Sequence, residues 1–276
     1  MANNKVPVVW SNHNFAYYSR DGYNGALNGW EYYFEPLSDY SYGAGDVLHG
    51  QTFYQRDNNF STLWWYHQYI ENMHLLPEDE QKDFVEIDNH MQRYKSAEFN
   101  QFRSSNYRIG NYHLYDKCFR KWVKENIIDS FIKIKPSILK KITDFKNEMI
   151  DSKIIGIHLR GKHLSSEVIH VPLPYIFDEA NKFAGENVKF FIATDQEPLL
   201  EEAKKCLKGQ VMYYPCQRFS ATTSPYYGSK LHPKQGEEIL IETILLSCCD
   251  HLIHTLSNVS TAALYFNPEL GHTLIY

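Results

Sequence analysis

From residue 154 to the C-terminus the chain alternates short apolar runs with helical stretches, and that alternation admits little besides a parallel sheet covered by helices. The first run, Ile154-Ile-Gly-Ile-His-Leu-Arg160, reads as a strand. Helices are expected around 174–184, at 197–207, at 236–248 and from near 259, with strands at 188–195, 210–214 and 251–255 between them. A loop of about twenty residues separates the third strand from the third of these helices. No internal repeat or low-complexity segment interrupts the series.

Alternate side chains of a strand share a face, so His158 and Arg160 leave the first run pointing the same way. Open α/β sheets bind ligands beyond the carboxyl ends of their strands, and an arginine fork there grips two phosphate oxygens without ever losing its charge. A surface ion pair at a strand end would use the same residues, and this segment alone leaves both readings open. Asp195 ends the second strand, where it can bond a ribose hydroxyl, orient the arginine, or cap the helix that begins at Glu197. The fourth strand runs into Thr255-Leu-Ser-Asn-Val-Ser260 and then a helix, whose N-terminal N–H groups form a seat for a diphosphate. A plain N-cap would equally account for Ser257 or Ser260. Glu242 falls among apolar positions of its helix and needs a partner there; a guanine edge offers two N–H donors.

At 276 residues and 43% hydrophobic, the chain can bury a sizeable core and suggests two modest domains. The expected boundary lies near 150, with an aromatic-rich N-terminal lobe and its linking helices over 1–150 and a nucleotide-sugar lobe over 151–276. Segments such as Gly29-Trp-Glu-Tyr-Tyr-Phe-Glu35 and Leu63-Trp-Trp-Tyr-His67 could stack on sugar rings or simply fill a core. In the linking helices, Ile127, Ile128, Phe131 and Ile132 are spaced for one buried face, and Pro136 opens a second helix with Ile138, Leu139, Ile142 and Phe145 along its stripe.

A net charge of -5 and a pI near 6.2 argue against a nucleic-acid partner. With no signal-peptide core and no run of ~18 apolar residues, a cytoplasmic protein is expected, free or peripheral at a membrane. Cys118, Cys206, Cys216, Cys248 and Cys249 lack the C-x-x-C spacing of a zinc site and read as reduced thiols, so the sequons at Asn59 and Asn258 should carry no sugar.

Four segments, taken in order, resemble the motifs of the fucosyltransferase superfamily. They are Ile155-Gly-Ile-His-Leu-Arg160, Ile192-Ala-Thr-Asp195 with its Glu-Pro-Leu-Leu-Glu-Glu-Ala-Lys continuation, Arg218-Phe-Ser-Ala221, and Ile241-Glu-Thr-Ile-Leu-Leu-Ser-Cys-Cys-Asp-His-Leu-Ile-His-Thr-Leu-Ser-Asn258. That superfamily joins the α1,6-fucosyltransferases, the rhizobial nodulation enzyme among them, with α1,2- and protein O-fucosyltransferases. The resemblance runs over about 150–265, is strongest to the α1,6 branch, and leaves the first 115 residues unmatched.

The resemblance implies a GT-B-like α/β glycosyltransferase with two facing lobes, the C-terminal one a Rossmann-like parallel sheet. Its implied activity is an inverting, metal-independent transfer of fucose from GDP-fucose to a glycan hydroxyl, with no cofactor. The absence of an Asp-x-Asp at a strand end fits metal independence. Arg160 would hold the β-phosphate with His158 near the nucleotide, and Gly161, Lys162, Asp195 and Ser220 would line the donor site. Glu242 would read guanine where the family has Asp; Ser257, Asn258 and Val259 would form the phosphate turn, with Asn where the α1,6 enzymes carry Gln.

After Arg160 the family continues with a second Arg and a Thr-Asp-Lys stretch. This chain has Gly161-Lys162-His163-Leu164, so one positive charge is displaced by a position. Glu167 matches the family's catalytic acid only across a one-residue gap, with His163 and His170 as substitutes. Two other readings fit the same residues: a transferase of another nucleotide sugar, such as GDP-mannose or an ADP-heptose-like donor, and a non-catalytic sugar- or nucleotide-binding lobe.

Overall fold

Five short segments pair side by side as parallel strands, β1 Lys153–His158, β2 Val188–Ala193, β3 Gln210–Met212, β4 His251–His254 and β5 Gly271–Leu274, in the order β3-β2-β1-β4-β5. The computed structural model describes residues 17, 19, 21–27, 29–36, 117–160, 171–220, 232–255 and 257–275. Its two compact units are Met1–Tyr112 and His113–Tyr276, and the sheet lies in the second.

Seven helices of that unit are described. They are α1 Lys117–Val123, α2 Asp129–Phe131, α3 Pro136–Lys146, α4 Leu173–Asn181, α5 Glu197–Cys206, α6 Pro233–Ser247 and α7 Asn258–Phe266. Central strands of such a sheet are buried on both faces, which is why β1 and β2 read as nearly continuous apolar runs.

Strand alternation splits β1 between the two faces. Ile155, Ile157 and Leu159 join Phe190, Ile192 and Ile253 in a core closed by Ile176, Phe177 and Ala180 of α4 and Leu199, Leu200 and Ala203 of α5. Gly156 looks the other way, toward Leu246 of α6 and Cys249. Phe191, its neighbour in register, meets the Phe145 ring of α3 edge-on at 5.7 Å. α7 packs on α6. The crossovers β1-α4-β2 and β2-α5-β3 therefore lie on one face, and those through α6 and α7 on the other, as a doubly wound sheet requires.

Gly156 sets the spacing of α6 on the sheet: a Cβ there would stand 2.9 Å from Cys249 Sγ and 3.1 Å from Leu246 Cδ2. Gly156→Ala should lower stability by about 1–3 kcal/mol through overpacking. Gly185→Ala is the control, since its Cβ would meet nothing nearer than Val188 Cγ2 at 3.7 Å and should shift stability by under about 0.5 kcal/mol. Urea unfolding midpoints of the two variants check this; equal losses would show that helix spacing is not the cause.

The linking helices depart from the expected stripe. Of Ile127, Ile128, Phe131 and Ile132, Ile128 is buried, Ile132 is half-buried, and Ile127 and Phe131 are exposed. Between α1 and α2 the backbone makes a π-helical turn, Lys124–Ile128, whose wider loop rotates the residues after it out of phase with a 3.6 repeat. In α3, Ile138, Ile142 and Phe145 are buried at i, i+4 and i+7, and Leu139 falls off that line into solvent. Cys249 is buried, Cys248 is half-buried, and all five cysteines are free.

In the first unit the described residues form a tyrosine knot. Tyr32 is fully buried beside Tyr33, and its hydroxyl donates to the Ser19 carbonyl at 2.8 Å. Tyr23 and Tyr33 meet the Tyr32 ring edge-on at 6.0 and 5.9 Å. These tyrosines fill a core, the plainer of the two readings of the aromatic segment 29–35. The segment 63–67 lies outside the described residues.

Candidate functional site

The order β3-β2-β1-β4-β5 reverses direction between β1 and β4, so the chain leaves these two neighbours toward opposite sides and a crevice opens beyond their carboxyl ends. The register sets His158 directly beside His254 at that edge. One further ladder bond, from the Leu159 N–H to the Ala193 carbonyl at 3.0 Å, carries the alternation past β1, so Arg160 follows His158 on the α6 face. The segment 161–170 continues from there outside the described residues, and it contains Gly161, Lys162, His163, Glu167 and His170.

His158 is 7% exposed, and its Nδ1 has no hydrogen-bond partner among the described residues. Burial, together with the nearby His254 and the Arg160 cation, pushes its pKa down to about 3, so the ring is neutral at neutral pH. His254, at the end of β4, is completely buried. Burial again holds its pKa down, to about 4, against the opposing hydrogen bond to the Thr255 carbonyl. The cation that acts on His158 is the Arg160 guanidinium, and the imidazoles themselves stay neutral.

The turn after β4 is pinned from within. Ser257 is the N-cap of α7, its hydroxyl accepting from the Val259 N–H at 3.3 Å. The Ser260 hydroxyl lies 3.2 Å from the Thr255 carbonyl and 3.0 Å from that of Ser257, donating across the turn. Ser257 and Ser260 are buried, Val259 is half-buried and Asn258 is exposed. A helix leaves its first-turn N–H groups without intrahelical acceptors, and α7 presents that end at the crevice. Ser257 is thus an N-cap, a role that does not exclude the expected place in a diphosphate seat.

A second group of polar side chains gathers beyond β2 and β3. The Phe219 N–H donates to the Asp195 carbonyl at 2.8 Å, and the Phe219 carbonyl accepts from the Glu197 N–H at 3.1 Å. This bridge fixes exposed Ser220 beside the end of β2. The N-cap of α5 is Gln196, not Asp195, and it makes no side-chain cap bond. Glu242 of α6 lies one turn before Leu246, which covers Gly156. One helical turn and two strand residues are similar lengths, so Glu242 stands near the level of His158.

The sequence left the partner of Glu242 open, and the structure supplies one from the chain itself. Arg218 donates from Nη2 to Glu242 Oε1 at 3.1 Å and to the Tyr214 carbonyl at 2.9 Å, with its guanidinium 5.2 Å from the Tyr213 ring centre. The Cys216 thiol donates to the same carboxylate oxygen at 3.3 Å. Burial raises the Glu242 pKa to about 8, Arg218 pulling it down while Asp195 and Glu238 push it further up. Burial and Glu242 together also hold the Cys216 thiol up. Glu238 accepts from the Gln217 N–H at 3.0 Å, and Lys141 of α3 pairs with Glu237, so α6 is tied both to this loop and to α3.

Thus one edge of the sheet carries His158, Arg160, Asp195, Ser220, Glu242 and the 257–259 turn. Reading the sequence alone missed His254, His272, Cys216 and the ion-paired role of Arg218. Among the described residues, no group of three or more His, Cys, Asp or Glu is placed to hold a metal ion, and no helix is long and apolar enough to cross a membrane.

No family model matches the chain, and no curated protein matches it. Solved structures do. Fucosyltransferase NodZ from Bradyrhizobium is 23% identical over 51% of this chain and 44% of that one, with a TM-score of 0.37. NodZ α-1,6-fucosyltransferase soaked with GDP-fucose is 19% identical over 86% of this chain and 75% of that one, with a TM-score of 0.46. POFUT1 in complex with GDP is 8% identical over 56% of this chain and 58% of that one, at 0.35. The first match spans less than half of the chain it aligns with. NodZ is a fucosyltransferase, the superfamily whose motifs this sequence resembles, and at these scores no residue role carries across from it.

Proposed function

We infer that this chain is a glycosyltransferase that moves fucose from GDP-fucose to a glycan hydroxyl, inverting at C1 and working without a metal. One observation supports the reading: β1, which ends in the motif residue His158 with Arg160 just beyond, pairs with β4, which leads about a hundred residues later into the motif turn 257–259, at the point where the sheet order reverses. Arg160 and the N-terminus of α7 stabilise the charge that grows on the β-phosphate as GDP departs. His158, neutral and with its Nδ1 unpartnered among the described residues, offers a ring nitrogen to the nucleotide. Glu242 reads the base from the level of the same edge. A base in the segment 161–170, Glu167 by resemblance, takes the acceptor proton as an oxocarbenium-like centre is attacked.

The base choice separates this reading from other nucleotide-sugar donors. A site-specific ligand at 100 times its Kd raises stability by about 2.7 kcal/mol, so GDP should produce a thermal shift of several degrees that ADP and UDP at equal concentration do not. A shift with ADP or UDP and none with GDP would overturn the assignment of donor. GDP release from GDP-fucose without acceptor, seen even slowly, distinguishes an enzyme from a binding lobe.

A further inference from the structure

We propose that His254 and His272 form a positioning relay, His272 to His254 to the Thr255 carbonyl, that keeps the start of the 255–260 turn oriented for a diphosphate. The inference rests on the donor-site reading above and adds two residues to it.

His254 ends β4 after the buried pair Leu252 and Ile253, and burying an imidazole completely costs free energy that hydrogen bonds to its nitrogens offset. Its Nδ1 lies 3.0 Å from the Thr255 carbonyl oxygen, and its Nε2 lies 3.1 Å from Nδ1 of His272 on β5. A carbonyl can only accept, so His254 carries its proton on Nδ1. Its Nε2 is then a bare lone pair, and the His272 Nδ1–H donates to it. One carbonyl thereby sets the tautomers of two rings in series, and low pKa of the inner ring keeps it an uncharged connector.

The chemical consequence falls on Thr255. An anion at a helix N-terminus is attracted by N–H groups and repelled by any carbonyl oxygen turned toward it. The Thr255 carbonyl is the first after β4, at the mouth of the crevice. It is held by the His254 Nδ1–H and approached by the Ser260 hydroxyl, so it points into the protein. Removing the outer histidine leaves the His254 ring with one anchor in place of two, free to rotate away and release that carbonyl toward the ligand.

His272 is half-buried and no part of the catalytic or binding machinery named above, so it is the residue to change. His272→Leu cannot donate, whereas the amide of His272→Gln can. By calorimetry, His272→Leu should weaken GDP binding about tenfold and raise KM for GDP-fucose similarly, with kcat altered by less than about threefold. His272→Gln should bind GDP within about threefold of wild type. A purely structural histidine would lower Tm in both variants without this split. The relay is overturned if His272→Leu binds GDP like wild type, or if His272→Gln is as weak as His272→Leu. Wild-type protein that binds none of GDP, ADP and UDP would instead remove the donor-site reading itself, and the relay with it.

Discussion

Arg160→Ala is expected to lower GDP-fucose turnover by about 10²–10³-fold in kcat/KM while melting within a few degrees of wild type. The leaving diphosphate gains negative charge as the C1–O bond lengthens, and a guanidinium placed beforehand at that oxygen needs no rearrangement when the charge appears. Arg218 cannot substitute, because its Nη2 is committed to Glu242 and to the Tyr214 carbonyl. The neighbouring imidazoles cannot either, since burial keeps His158 and His254 neutral. Arg160 is only half-buried, so trimming it opens no large cavity. Arg160→Lys should recover part of the loss, keeping the charge but not the two-pronged grip. The measurement is GDP released per second at saturating and subsaturating donor; turnover near the wild-type rate in the alanine variant would refute the clamp.

The parallel sheet was legible because β1 and β2 are largely buried on both faces and announce themselves as apolar runs, with Leu252 and Ile253 marking β4. β5 was not. Gly271-His-Thr-Leu274 lies at the sheet edge, exposed or half-buried along its length, and carries neither an apolar run nor a clean alternation. α6 starts at Pro233, three residues before its expected start, because His232 and Gln235 close a capping box ahead of the apolar stripe. β3 stops at Met212, and the chain after it brings Phe219 beside Gln196, past the end of β2.

The same contrast holds at the site. His158 and Arg160 could be read as a pair because strand geometry relates neighbours two apart. The partners of Glu242 and His254 could not, since Arg218 is 24 residues from one and His272 18 from the other, and neither spacing follows from any local repeat. The buried acid at 242 did signal a need for a partner; only the fold says which side chain meets it.

That partnership makes a second large effect, and its sign follows from titration. Glu242 has its folded pKa raised from 4.5 to about 8, so the native state holds the proton more tightly than the unfolded chain. Its contribution to stability is full below pH 4.5 and is lost as pH rises toward 8. Arg218 limits that loss by pairing with the carboxylate once it ionises. In Arg218→Met the carboxyl must stay protonated or be buried as a lone charge.

At pH 6 both proteins hold Glu242 neutral, and the variant should lose only hydrogen bonds and the stacking on Tyr213, about 1–2 kcal/mol. Above pH 8 the wild-type carboxyl ionises and the variant's does not, so the gap should widen by about 1.4 kcal/mol per pH unit, to about 3 kcal/mol at pH 9. Cys216 does not blur the comparison, because burial and Glu242 hold its thiol protonated across this range. Titrations common to both proteins cancel in the difference, so urea unfolding at pH 6 and pH 9 isolates the pair. An equal gap at the two pH values would mean that Arg218 acts as a hydrogen-bonding strut for the 214–218 loop rather than as the counter-charge of Glu242. A gap that opens only at high pH would fix Glu242 as an acid that this fold keeps protonated at neutral pH and that ionises above pH 8 because Arg218 stands beside it.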